Sequence, residues 1–420
     1  MFYRGTMRIA IHTLGTRGDF QPYIALARGL IARGHEVQLA APIQFSGMAA
    51  EHDVRFMGLP AEFLALLNTA EGKAAVAGGK GFSAGFKLLK QVRPLMRRLL
   101  DAEWQIAIRF APDVIVYHPK SIAAPDIASA LGVPHVLASP VPGLTPTSAF
   151  PTPLLPYPSL GPFNRVSHLL ATHAAELLFA SELKAWRQST PGLSDRTKRK
   201  PRAGTLYAYS PAVLPKPSDW GPDVLVTGYW FLDEPGWQPD PALEAFLNAG
   251  PPPVYFGFGS MPGIDPETMT GMILDALEMT GKRGLLAVGN GAMRFGTMSE
   301  RAFFLKSAPH DVLLPKASAA IHHGGAGTTA ASLRAGLPTQ IIPFFGDQPF
   351  WGRRVAALGA GPAPLNRRTL SAGIIANALV AMDGPAMRSR AKALGAAIES
   401  DRGIEAAIEF LEGASRRTKS

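Results

Sequence analysis

The sequence predicts an α/β protein made of two doubly wound parallel-sheet domains that face each other across a cleft. Three observations carry this. The chain has 420 residues, more than one hydrophobic core usually serves. Residues 7–41 run strand, turn, helix, strand. The same alternation starts afresh at residue 254.

Met7 to Leu14 (MRIAIHTL) is a short apolar run ended by glycine, the pattern of a buried parallel strand. The turn GTRGD follows. Pro22 to Arg33 then shows helical spacing, with Pro22 near the first turn and Gly34 as the stop. Glu36 to Ala41 is the next strand, completing a βαβ unit with a right-handed crossover. Val114 to Tyr117, a helix near Ile122 to Leu131 and a strand at Val136 to Ala138 repeat the pattern. In the second half, strands are expected at Val254 to Phe258, Gly284 to Val288, Ala319 to Ile321 and Gln340 to Pro343. Helices fall at Pro266 to Thr280 and about Thr328 to Ala335.

The join is expected in Ser210 to Pro222, which holds four prolines. The domains then span 7–210 and 223–384, and mostly helical residues 385–420 follow. Glu71 to Arg98 begins glycine-rich and then turns helical and basic, and Ser139 to Phe163 is rich in proline and apolar residues. Both read as loops walling a pocket, and their apolar character suggests an apolar ligand.

Composition narrows the function. Apolar residues make up 47% and charged residues 18%, which excludes a disordered chain. No run long enough for a membrane helix appears, and no secretory signal, so a cytoplasmic protein is expected, with Met1 to Thr6 as a short leader. Cysteine is absent, which removes disulfides, thiolate metal sites and cysteine nucleophiles. The net charge is +10. Its two clusters, Arg196 to Arg202 (RTKRKPR) and Arg416, Arg417, Lys419, do not interleave with aromatics, so nucleic acid is not an expected partner. They read as a solvated loop and tail, or as weak peripheral attraction to an acidic membrane.

Ligands of open parallel sheets sit at the carboxyl ends of strands. That rule gathers the loops at 14–20, 259–263, 322–329 and 343–348. In the stretch Ile321 to Thr329 (IHHGGAGTT), a strand ends, glycines turn the chain and a helix begins. Free N–H groups and the positive helix end form an anion site suited to a diphosphate, with Thr328 and Thr329 as hydroxyl donors and His322 as a donor to phosphate oxygen. The lysine of a P-loop is missing. Asp347 beside Gln348 suits hydrogen bonding to several sugar hydroxyls, and Asp347 equally suits a helix cap. Asp19 follows the first strand. It can cap the helix or take a proton from an alcohol, which attacks poorly unaided.

With these residues in view, the chain resembles a bacterial member of glycosyltransferase family 1, with the GT-B fold of two Rossmann-like domains. The resemblance is nearest to the sterol 3-beta-glucosyltransferase branch. It runs through GTRGDFQPYIALARGL, PDVIVYHPKSIAAPDIASALGVPHVLASP, PPPVYFGFGSM and HHGGAGTTAASLRAGLPTQIIPFFGDQPFWGRRV. It implies Asp19 as catalytic base. It implies diphosphate contacts from Thr16, Ser260, His322, Gly325, Gly327 and Thr328. Pro309 and His310 would enclose the base of the nucleotide, and Asp347 and Gln348 would read the sugar. The implied reaction is metal-independent, inverting transfer of a hexose from a UDP-sugar to an apolar hydroxylated acceptor, with no cofactor. The last helices are implied to pack back on the first domain. A polyketide, carotenoid or flavonoid acceptor is an alternative. A non-catalytic nucleotide-sugar or lipid binder is the reading from another class.

Overall fold

The structure, a computed structural model, describes residues 5–62, 81–193, 201–234, 236–259, 261, 264–289 and 291–417. Ser260, Met1 to Arg4, Glu71 to Lys80, Arg196 to Lys200 and Lys419, all singled out above, lie outside the described residues.

The first domain opens with β1 (Arg8–His12), α1 (Arg17–Ala32), β2 (Glu36–Pro42), α2 (Ser46–Glu51) and β3 (Phe56–Leu59). The long α3 (Gly81–Phe110) leads to β4 (Val114–Tyr117), α4 (Ala124–Leu131) and β5 (His135–Ser139). An irregular stretch precedes α5 (Asn164–Leu178) and α6 (Ala180–Ser189); β6 (Gly204–Tyr207) and β7 (Val224–Val226) complete the sheet. All seven strands are parallel, in the order β3-β2-β1-β4-β5-β6-β7. β1, β4 and β5 are buried nearly throughout, as a sheet covered by helices on both faces requires.

The second domain holds α7 (Pro241–Asn248), β8 (Val254–Gly257), α8 (Pro266–Thr280), β9 (Gly284–Ala287) and β10 (Ala302–Leu305). It continues through the single turn α9 (His310–Leu313), β11 (Ala319–His322), α10 (Ala326–Arg334), β12 (Thr339–Ile341), α11 (Gln348–Ala357) and α12 (Ala372–Ala381). Its parallel sheet has the order β10-β9-β8-β11-β12. Strand order reverses between β1 and β4 in one sheet and between β8 and β11 in the other. These are the two switch points where a ligand crevice forms.

Three expectations need correction. The boundary at 210–223 is misplaced, because β7 pairs with β6 and Thr205, Leu206 and Tyr207 lie opposite Val224, Leu225 and Val226. The proline-rich stretch is a connection inside the first domain, and the chain crosses over only after residue 226. Proline content marks irregular backbone and says nothing of which sheet receives the next strand. Secondly, α1 starts at Arg17, not Pro22, because Thr16 caps it: its N–H donates to Asp19 Oδ2 at 2.8 Å. Thirdly, the helical turn expected within Glu71 to Arg98 is there, but residues 81–98 open one long helix, α3, and are no pocket-wall loop.

Two final helices follow, α13 (Pro385–Glu399) and α14 (Gly403–Arg417). α13 lies against α10, and its Ala391 and Ile398 belong to the hydrophobic cluster between the domains. α14 returns to the first domain, lying on α1 and burying Ala407, Ile408, Leu411 and Ala414 in its core. The domains also meet directly. Tyr207, Tyr209 and Trp220 share one hydrophobic cluster with Phe350, Trp351, Ala391 and Ile398. Arg353 donates to the carbonyls of Pro156 and Tyr157 at 2.8 and 3.1 Å.

Leu411 is fully buried in a core otherwise made by the first domain. Leu411→Ala should cost about 2–5 kcal/mol by cavity formation. Denaturant titration should show the midpoint falling; an unchanged midpoint would mean that α14 is not anchored there.

Candidate functional site

The first domain's contribution begins where β1 stops. Thr13 Oγ1 donates to the Asp19 carbonyl at 2.6 Å and closes the loop. Gly15 has φ +133°, a region that glycine tolerates. A Cβ at Gly15 would fall 2.2 Å from Asp19 Oδ2 and 2.7 Å from Lys120 Nζ. The missing side chain lets the carboxylate lie across the loop.

β4 ends beside it, and the next residues supply two partners absent from the sequence reading. His118 Nε2 is 3.2 Å from Asp19 Oδ1, and Lys120 Nζ is 2.8 Å from Oδ2. The N–H of Lys120 donates to His118 Nδ1 at 3.2 Å, which leaves the ring proton on Nε2, pointed at Asp19. Burial holds His118 below the ordinary histidine range against the pull of Asp19, so it is neutral at neutral pH. Burial would raise Asp19, but Lys120 and His118 outweigh it and hold the carboxyl well below the usual carboxylate range. Asp19 is therefore ionised at any working pH. The signal was in the sequence: His118-Pro119-Lys120 follows a strand just as Asp19 does.

A buried network underpins this pair of loops. His12, Glu103 and Ser121 are all fully buried. His12 Nδ1 lies 2.9 Å from Glu103 Oε2, and Ser121 Oγ donates to the same oxygen. Glu103 on α3 thereby ties the end of β1 to the loop that carries His118 and Lys120.

The second domain presents the predicted glycine-rich turn. His322 ends β11, fully buried; its Nδ1 accepts from the Gly324 N–H at 3.0 Å, which puts the proton on Nε2. Among the described residues that Nε2 has no partner. Helix α10 begins at Ala326 after Gly325 with no side-chain cap, so its first amides remain to be satisfied. Gly325 and Thr328 are half-buried and Gly327 exposed at this end. His323 Nδ1 donates to the Gly257 carbonyl at 3.3 Å, and Gly325 leaves room for the ring. The two histidines diverge as expected for extended chain. Pro309 precedes α9, and His310 Nε2 meets the Tyr255 hydroxyl at 3.1 Å. Burial lowers His310 to about 4 and holds His322 well below the ordinary histidine range, so both rings are neutral.

Asp347 Oδ2 accepts from Trp351 Nε1 at 2.8 Å. Burial pushes its carboxyl up to about 6 despite that bond, and Asp19 adds to the rise. Gln348 is turned inward: Oε1 accepts from the Phe344 and Phe345 N–H groups at 2.7 and 3.2 Å, and Nε2 lies 3.4 Å from Met261 Sδ. Its polar atoms shape the loop here. Thr16 stays at the exposed rim with Oγ1 3.2 Å from Asp19 Oδ2. Among the described residues no group of three or more His, Asp or Glu side chains is placed to share a metal ion.

The two halves face each other. Asp19 and Lys120 of the first domain both act electrostatically on Asp347 of the second, and Arg17 acts on His310. Arg17 also lies 3.7 Å from Glu234 across the divide. The cleft is therefore lined by an ionised carboxylate on one side and by an uncapped helix end with neutral imidazoles on the other. Such a site can hold a diphosphate and offer a proton acceptor opposite it.

Comparison with known proteins agrees. Residues 9–143 match the glycosyltransferase family 28 N-terminal domain, and residues 301–403 match the erythromycin biosynthesis protein CIII-like C-terminal domain. A sterol 3-beta-glucosyltransferase of Arabidopsis thaliana is 35% identical over 96% of this chain and 67% of its own length. The O-mycaminosyltylonolide 6-deoxyallosyltransferase of Streptomyces fradiae is also 35% identical, over 97% of each chain. The chain thus spans about two thirds of the plant relative, and only 30% of a similar sterol 3-beta-glucosyltransferase of Aspergillus clavatus. Among solved structures, the calicheamicin glycosyltransferase CalG4 superposes with a TM-score of 0.71 at 18% identity, covering 98% of this chain and 99% of that one. The likeness at that identity is one of fold.

A carboxyl-carbon NMR titration should find one aspartate with a midpoint of about 6, gone in Asp347→Asn. Asp347 is protonated below that pH and ionised above it. A Trp351→Phe variant should move the midpoint upward, since the indole N–H favours the charged form; a downward move would contradict the assignment.

Proposed function

Because the chain belongs to glycosyltransferase family 1 and has the GT-B fold, we propose that it transfers a hexose from a UDP-sugar to a hydroxyl of an apolar acceptor, with a sterol the leading choice. The enzyme class rests on the family; donor, acceptor and mechanism are this proposal. One observation supports it: Asp19, kept ionised, acts electrostatically on Asp347 of a domain that also presents the α10 terminus without a side-chain cap and, among the described residues, a His322 Nε2 without a partner.

The reaction is a single displacement. The acceptor oxygen forms a bond to the anomeric carbon as the bond from that carbon to the diphosphate oxygen breaks. The acceptor proton passes to Asp19. Attack from the side opposite the leaving group inverts the anomeric centre, so an α-linked donor gives a β-glycoside. A carboxylate held by several donors is a weak base in the ground state. It suffices because the hydroxyl becomes acidic only as its oxygen bonds to carbon, so proton transfer falls late. Charge appearing on the leaving diphosphate meets the α10 amides, with Gly325, Gly327 and Thr328 around them, and the His322 Nε2–H, without a metal. Ser260 and Thr16 would add contacts to the same group. Pro309 and His310 would flank the base of the nucleotide. Ionised Asp347, with Gln348 shaping its loop, would accept sugar hydroxyls.

The Streptomyces relative, which this chain matches over nearly its whole length, favours a second reading: a polyketide acceptor with a different nucleotide sugar. Initial rates with UDP- and TDP-sugars against a sterol and a macrolide aglycone distinguish the two. A binder without turnover would release no nucleotide with any acceptor.

Asp19→Asn should lower kcat by about a thousandfold or more while UDP still binds. Near-normal transfer by that variant would remove Asp19 as base. Excess chelator should leave the rate unchanged; loss of activity restored by added magnesium would contradict the metal-free mechanism.

A further inference from the structure

Asp19 is crowded on one oxygen. Oδ2 receives three donors, Thr16 N–H at 2.8 Å, Thr16 Oγ1 at 3.2 Å and Lys120 Nζ at 2.8 Å, while Oδ1 receives His118 Nε2 at 3.2 Å. A carboxylate oxygen offers about two lone-pair sites. For an acceptor hydroxyl to hand its proton to Oδ2, a donor must leave, and while the ammonium stays the whole carboxylate is a poorer base. Thr16 is fixed by the cap of α1. The His118 side chain is only 6% exposed, held by the Lys120 N–H and by the edge of the Tyr23 ring. Lys120 alone of the four donors is a flexible side chain, 49% exposed.

Its destination follows from what the opposite domain lacks. His310, His322 and His323 are all held below the ordinary histidine range by burial, so they offer dipoles and not full charge. Arg17, another cation near this gap, already faces Glu234. A diphosphate carries at least two negative charges and outbids a single carboxylate for an ammonium.

We propose that Lys120 couples donor binding to base activation: its ammonium pairs with Asp19 until the donor arrives and then moves to the donor diphosphate. The base is then uncovered only when there is a sugar to transfer, and Lys120 becomes a contact to the leaving group. This rests on the reading of Asp19 as base, yet its test reads binding and not transfer.

The test is calorimetric titration of UDP and UMP into the full chain. UMP lacks the second phosphate and also reports that each variant is folded. Lys120→Met should cut the preference for UDP over UMP by roughly tenfold, and Lys120→Arg should keep most of it. Asp19→Asn frees the ammonium, so UDP should bind roughly three- to tenfold tighter, and the gain should vanish in the Asp19→Asn/Lys120→Met double variant. An unchanged preference in Lys120→Met, or a gain that survives without Lys120, overturns the proposal. If these binding results hold while Asp19→Asn still transfers sugar, the coupling stands and the base assignment fails instead.

Discussion

Two sheets make one site only if their strand ends are held face to face, and the aromatic cluster around Trp351 imposes that. Trp351 is fully buried, with Tyr209 of the first domain 6.1 Å away ring to ring and Phe350 at 5.1 Å. Phe350 in turn meets Phe150 of the first domain at 5.4 Å. Burial of such rings is the main stabilising force available between lobes. Trp351 Nε1 also donates to Asp347. The same residue that closes the domain interface therefore sets the position of a carboxylate in the cleft.

Burial acts on both cleft aspartates in the same direction, and their partners decide the outcome. Asp347 has one neutral donor, and its carboxyl rises to about 6. Asp19 has an ammonium and three further donors, and its carboxyl falls. One side keeps a permanent negative charge; the other keeps a group that can lose or hold a proton near neutrality. The two would repel strongly if both were bare. Lys120, which affects both, moderates that repulsion. The helix macrodipole at α10 and the neutral histidines give the second domain's side of the cleft dipoles that favour negative charge.

Much of this was legible because it is local. The turn IHHGGAGTT announces a strand end and a helix start within a few residues, and glycine is needed where Gly324 takes φ +90°. Asp19 was legible as a helix cap, and its Oδ2 closes the Thr16 cap. Two errors were also local in kind. Prolines in 210–222 signal irregular backbone but not its sheet, and Pro22 obscured a helix whose cap lay a turn upstream.

The sequence by itself determined the α/β class, the positions of the strand-end loops and the residue types able to bind diphosphate and accept a proton. Those follow from periodicity and turn chemistry, which act over short stretches of chain. Only the tertiary structure decided that Lys120 and His118 sit on Asp19, 101 residues from Lys120 in sequence, that Gln348 folds into its own loop, and that α14 lies on α1. These depend on which strands become neighbours at a switch point and on how two lobes pack. No local pattern encodes that choice, because it is settled by burial summed over the whole chain.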